Sequence, residues 1–182
     1  SKQTIIFFYT SENQRVALAP TAVELSKNGY RVQAIYTGKK TAKVLAAGIR
    51  SHEIKMDLTE SLVALYTSLI RARDLSRFIF ANRTIVQRRS FSQFLRSHVF
   101  LSYFTSMLDK SQPTLIIMSN DHNTPNRCLL AAARYAGTPT AYMQHASVSN
   151  YFPALRFDYA FLDGNKSFSI YKSCEKNRPP RE

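Results

Sequence analysis

The sequence predicts an α/β fold built on a doubly wound parallel sheet, and three observations lead there. Short apolar runs, rich in β-branched and aromatic residues, alternate with stretches of helical period. Glycine closes two of those helical stretches, at Gly29 and Gly137, where a left-handed residue ends a helix. The order strand–helix–strand–helix–strand then requires crossover connections, which are the mark of parallel pairing.

Taken in order, "TIIFFYT" (4–10) predicts a buried strand. Ser11 or Asn13 is placed to cap the helix that follows, whose stripe is Val16, Leu18, Ala19, Ala22, Val23 and Leu25. Pro20 falls inside it as a kink candidate. "YRVQAIYTG" (30–38) predicts a second strand, "KKTAKVLAAGI" (39–49) a short helix and "SHEIKM" (51–56) a third strand. Residues 59–112 break this rhythm and read as a helical insertion. One amphipathic helix carries Leu62, Leu65, Leu69 and Ile70, and another carries Phe91, Phe94, Leu95, Val99, Tyr103 and Met107. "TLIIMS" (114–119) resumes the alternation as a fourth strand. A helix over 125–137 follows, with Pro125 in its first turn. Strands over 140–145 and 157–164 and a helix from Asn165 complete it. The expected organisation is one domain over 1–172 and a linker or frayed tail over 173–182, with the chain itself a piece of something longer.

At 182 residues and 45% apolar content the chain can bury a core without staples. Its two cysteines, Cys128 and Cys174, are far apart and form no CxxC pair. That argues against a disulfide framework and a zinc module and fits a reducing compartment. Two glycosylation-like tripeptides begin at Asn82 and Asn165, a pattern common by chance. No run reaches the roughly 18 apolar residues of a membrane span.

The net charge of +13 draws anionic partners. It is concentrated in Arg71, Arg73, Arg77, Arg83, Arg88, Arg89 and Arg96, offset over that segment by Asp74 alone. A solvated helical face is the plain account. Phe78, Ile79, Phe80, Ile85 and Val86 are interleaved with the arginines, however, as in a helix lying on an anionic membrane or polyanion. Nucleic acid is disfavoured, because no recognition motif accompanies the charge.

No GxGxxG fingerprint is present, and "TGKKTA" (37–42) lacks the upstream glycine of a phosphate loop. HExxH, GxSxG and EF-hand spacings are also missing. What remains is at the strand tips. Doubly wound sheets bind ligands beyond the carboxyl ends of their strands, which singles out 10–14, 119–123 and 145–150. "SNDHN" has a plain reading: Asp121 or Asn123 caps the next helix, worth about 1 kcal/mol. His145 can likewise be satisfied within a turn. Yet two apolar runs end in polar tips carrying histidine. A histidine beside a carboxylate suits deprotonation of a hydroxyl nucleophile, so Asp121 and His145 are the candidate catalytic pair. Ser11, Asn13, Gln14, Asn120, His122 and Gln144 are candidates to hold sugar hydroxyls or phosphate oxygens. No metal or resident cofactor is expected.

From 114 to 172 the sequence resembles bacterial surface-polysaccharide glycosyltransferases of the two-domain GT-B type. In those proteins a strand ends in a polar tip, a helix follows, and the next strand ends in Gln-His-Gly. Here that tripeptide is Gln144, His145 and Ala146, the alanine being a departure. The CDP-glycerol glycerophosphotransferases carry a comparable tip. The resemblance implies a Rossmann-like amino-terminal, acceptor-binding half. A nucleotide-sugar or nucleotide-polyol donor would be held mostly by a second GT-B domain of the same polypeptide. It further implies a carbohydrate or lipid-linked acceptor, an inverting, metal-independent reaction and a cytoplasmic location at the inner membrane. A nucleotide-sugar epimerase of related fold is the alternative enzyme. A non-catalytic module that binds anionic membrane or nucleic acid is the alternative without chemistry.

Overall fold

The computed structural model describes residues 3–37, 44–54, 62, 66 and 91–176. Among them six parallel strands form one sheet in the order β3-β2-β1-β4-β5-β6. They are β1 (Thr4–Tyr9), β2 (Arg31–Tyr36), β3 (Arg50–Glu53), β4 (Leu115–Met118), β5 (Thr140–Met143) and β6 (Tyr159–Phe161). The helices are α1 (Glu12–Lys27), α2 (Phe91–Ser111), α3 (Thr124–Ala136) and α4 (Asn165–Lys176). This is the doubly wound, Rossmann-like order, reversing direction between β1 and β4. The two central strands pair Ile5 with Leu115 through Phe8 with Met118, so their carboxyl ends lie side by side.

Alternation along β1 explains why the sheet is covered twice. Ile6 and Phe8 point to one face and meet Phe100, Phe104 and Leu108 of α2 and Leu129, Ala132 and Ala133 of α3. Ile5, Phe7 and Tyr9 point to the other and meet Leu18 and Ala22 of α1. Phe7 and Phe8 are fully buried on opposite faces. A strand apolar at five successive positions, Ile5 to Tyr9, is what two helical layers require. The Phe8 and Phe104 rings meet edge to face at 5.5 Å, which fixes α2 against the centre of the sheet.

The expected fold class holds, and the local differences have physical causes. Helix α1 runs unbroken through Pro20 from its N-cap Ser11. Residues 44–49 form turns where a helix was expected, and they bury Leu45 and Ile49 against the α1 face of the sheet. Two side chains suffice there, so the apolar signal was real while its period was not. Helix α4 continues past residue 172 to Lys176. Arg71, Arg73, Arg77, Arg83, Arg88 and Arg89 lie outside the described residues, as does most of the first amphipathic stretch, of which Leu62 and Tyr66 are helical and exposed. Arg96 is exposed on α2. No helix among the described residues is long and apolar enough to cross a membrane.

Candidate functional site

The polar tips that the chain order separates are adjacent at the carboxyl edge of the sheet. Asn123 Nδ2 donates to Thr10 Oγ1 at 2.9 Å, across the switch point between β1 and β4. This contact also corrects the capping expectation: Asn123 occupies the N-cap of α3, but its side chain makes no cap hydrogen bond. It is spent on joining the two turns. Pro125 needs no N–H partner in that first turn, which lowers the demand for a cap.

The β1–α1 turn is closed on itself. Ser11 Oγ accepts from the Gln14 N–H at 3.5 Å. Gln14 is buried, and its Oε1 accepts from the Thr10 N–H at 2.8 Å and from the Thr10 hydroxyl at 3.2 Å. Two of the predicted ligand-holding groups are therefore structural, while Asn13 is exposed on the first turn of α1.

The β4–α3 turn is different. Asn120 Oδ1 accepts the His122 N–H at 2.7 Å, which tightens the turn and sets the direction of the next two side chains. Asp121 is buried, and its Oδ1 lies 2.9 Å from His122 Nδ1. That oxygen is an ion-pair neighbour of the imidazole without hydrogen-bond alignment, so it still lacks a hydrogen-bond donor. Burial pushes the Asp121 carboxyl above its ordinary value, against the pull of His122 and Arg127. The His122 ring is partly open to solvent and rests edge to face on Phe152, with centroids 4.4 Å apart.

His145 arrives from the tip of β5. It is half-buried, and burial lowers its pKa, opposed by a hydrogen bond with the Ser119 backbone and reinforced by nearby His122. The neutral imidazole is thereby favoured. Gln144 serves the scaffold: its Nε2 donates to the Ala146 carbonyl at 2.9 Å, and its Oε1 accepts from the Asp163 N–H at 3.0 Å. The carboxylate–imidazole couple expected between Asp121 and His145 is instead formed by neighbours in sequence, Asp121 and His122. The five-residue turn brings them together without help from β5.

Among the described residues four buried side-chain polar atoms lack a hydrogen-bond partner: Ser119 Oγ, Asp121 Oδ1, Asn126 Oδ1 and His145 Nδ1. All belong to the ends of β4 and β5 and the first turn of α3. Unpaired buried groups are costly and are concentrated where function demands them. Ser119 lies in the tip that the sequence singled out but was not given a role there, and Asn126 was not singled out. Asn126 did leave a signal, because it stands in line with Leu129 and Ala133 on the buried stripe of α3, where an apolar residue is expected. Tyr142 and Tyr171 form the floor behind Asp121, with hydroxyls 3.1 Å apart. Burial raises the pKa of both phenols, so they stay neutral donors. Among the described residues no group of three or more His, Cys, Asp or Glu side chains is arranged to hold a metal ion.

No protein-family model and no curated protein sequence matches the chain. Solved structures do. A protein of Listeria monocytogenes assigned as a UDP-N-acetylglucosamine 2-epimerase superposes with a TM-score of 0.60 at 10% identity, covering 99% of this chain and 43% of its own. The spinosyn forosaminyltransferase SpnP superposes with a TM-score of 0.50 at 16% identity, covering 99% of this chain and 37% of its own. The chain has the fold of one half of a GT-B-type enzyme. It spans less than half the length of these structures. At such identity the likeness is one of fold, shared by transferases and epimerases that handle nucleotide sugars.

Proposed function

We propose that this chain is the acceptor-binding half of a two-domain transferase. The enzyme would move a sugar or polyol phosphate from a nucleotide donor to an acceptor hydroxyl in bacterial envelope polysaccharide synthesis. The observation that carries this reading is the Asp121–His122 couple, 2.9 Å apart at the switch point of the sheet, with His145 beside it. A buried carboxylate facing one imidazole nitrogen orients the ring and stabilises its protonated form. The other nitrogen, Nε2, takes the acceptor proton as the acceptor oxygen bonds to the donor carbon or phosphorus. The donor's bond to the nucleotide breaks, and the nucleotide leaves with that electron pair. His145, held neutral by burial, accepts a hydrogen bond from the same acceptor. The second domain holds the donor, and the arginines between Arg71 and Arg96 dock the protein on an anionic membrane where lipid-linked acceptors reside.

The test is transfer by the full-length polypeptide from nucleotide sugars to acceptor, comparing His122→Ala, Asp121→Asn and His145→Ala with the parent. Losing a positioned base lowers the rate by about a hundredfold to ten-thousandfold. Unchanged transfer in all three variants overturns the assignment.

An epimerase reading draws support from the TM-score of 0.60 to the epimerase-assigned structure. It requires conversion of the nucleotide sugar with no acceptor present, and transfer that depends strictly on acceptor excludes it.

A further inference from the structure

A groove of about 700 Å³ runs along α3, from Asp121 at the carboxyl edge of the sheet to Gly137–Thr140 at the amino end of β5. Its other wall is the segment 153–159. That volume lies within the range of small-ligand sites. Arg127 and Arg134 stand seven residues apart on α3, hence on one face and about 10 Å apart along the axis. Arg156 lines the wall opposite. All three are exposed, and none of their guanidinium groups makes a hydrogen bond or ion pair with another described residue.

The acids of the groove do not neutralise them by contact. Asp158 Oδ2 is taken by the Thr140 N–H at 2.7 Å and the Thr140 hydroxyl at 2.9 Å. Asp121 is turned to His122. Three arginines therefore face one concavity from two walls, a local excess of positive charge over its two acids that favours an anion there.

The lining between the charges narrows the chemistry. Leu130, Pro139 and Leu155 give apolar surface, Thr138 adds a hydroxyl, and Tyr159 is 59% exposed. Sugar rings present apolar C–H faces as well as hydroxyls, and guanidinium forks match carboxylate and phosphate oxygens. Single-stranded nucleic acid is held by a succession of free rings on which bases stack. Here the second aromatic of the groove, Phe157, is packed on Tyr142 with centroids 5.3 Å apart.

We propose that this groove binds an anionic oligosaccharide, its acidic groups held by Arg127 and Arg134 from one wall and Arg156 from the other. The site stands on the groove alone and goes beyond the transfer reaction.

Calorimetric titration of this chain with trigalacturonate, neutral maltotriose and single-stranded oligothymidylate tests it. Trigalacturonate is expected to bind and maltotriose not. Arg127→Gln, Arg134→Gln and Arg156→Gln should each weaken trigalacturonate about tenfold, the loss of a charge-assisted contact. Lys110→Gln, exposed on α2 outside the groove, should leave it unchanged. Because the replaced arginines are exposed, unchanged melting temperatures are expected and separate lost binding from lost folding. The site is overturned by no trigalacturonate binding, by equal binding of maltotriose, or by tighter binding of oligothymidylate. An effect of Lys110→Gln as large as the groove variants also overturns it, since that would reflect only the general field of a chain with net charge +13.

Discussion

The turn after β1 and the turn after β4 sit side by side at the same edge of the sheet, yet they treat their polar residues in opposite ways. After β1, Thr10, Ser11 and Gln14 satisfy one another, and Gln14 is buried in the process. After β4, Ser119 Oγ, Asp121 Oδ1 and Asn126 Oδ1 are buried without hydrogen-bond partners, next to His145 Nδ1 from β5. A closed network rigidifies a turn and releases nothing for chemistry. An open one costs stability and leaves donors and acceptors oriented for something else. The contrast places the unsatisfied polar groups in the second half of the sheet and the satisfied ones in the first, which is the arrangement the proposed chemistry would use.

The sharpest way to break this contrast is to exchange the consequences of mutation. Asp121→Ala should lower transfer by the full-length protein by two orders of magnitude or more, while the melting temperature holds or rises. Removing a buried carboxyl whose Oδ1 lacks a hydrogen-bond donor is cheap for folding. A large stability loss without an activity loss would place Asp121 with the structural group.

Gln14→Ala should do the reverse. It strands the Thr10 N–H in a part-buried turn and costs about 1–3 kcal/mol in chemical denaturation, with transfer per folded molecule unchanged. Ser119→Ala, by contrast, should cost less than about 0.5 kcal/mol, because no hydrogen bond is lost with the hydroxyl. A Ser119 variant as damaging as the Gln14 variant would show that the orphaned hydroxyl is paired in solution.

The smallest effect is the pH dependence of stability, and here Asp121 and His145 have opposite signs. The Asp121 pKa is raised in the folded state, so its protonated form is favoured there. Its contribution is full below the unfolded carboxylate value and is lost as pH rises through the folded one. The His145 pKa is lowered in the folded state. Its contribution is full above the unfolded histidine value and is lost as pH falls through the folded one. A melting series across mildly acidic pH should show Asp121→Asn removing the decline on the rising side and His145→Gln removing that on the falling side. Identical profiles for the parent and both variants would contradict the burial assigned to these groups.

The fold was legible because its signals are local and redundant. β1 is apolar at successive positions, which only a doubly covered strand tolerates, and Gly137 ends α3 with a left-handed φ of 68°. The stretch 39–49 misled because Leu45 and Ile49 are buried at helical spacing from a turn. The position of the tips was also legible: "SNDHN" and "QHA" follow the apolar runs and stand at the carboxyl ends of β4 and β5. Their partnerships were not. Asp121 and His122 are adjacent in the chain, and nothing in spacing says whether adjacent side chains diverge or meet. The Asn120 turn at 2.7 Å makes that choice. Gln144 and Gln14 carry the same groups whether they face a ligand or the scaffold, and only the placement of Asp163 and Thr10 assigns them to the scaffold.

The amino-acid order by itself determined the alternation of strands and helices, the burial of the sheet on both faces, the positive field and the polar residues available at the carboxyl edge. Those properties depend on periodicity and composition, which are written along the chain. Tertiary structure alone decided which polar groups are satisfied and which are left open, that β1 and β4 are neighbours although more than a hundred residues lie between them, and that Arg156 faces Arg127 and Arg134 across one groove. Hydrogen bonding and charge pairing act over a few ångströms in space, so they become definite only when the sheet has brought distant segments to one edge.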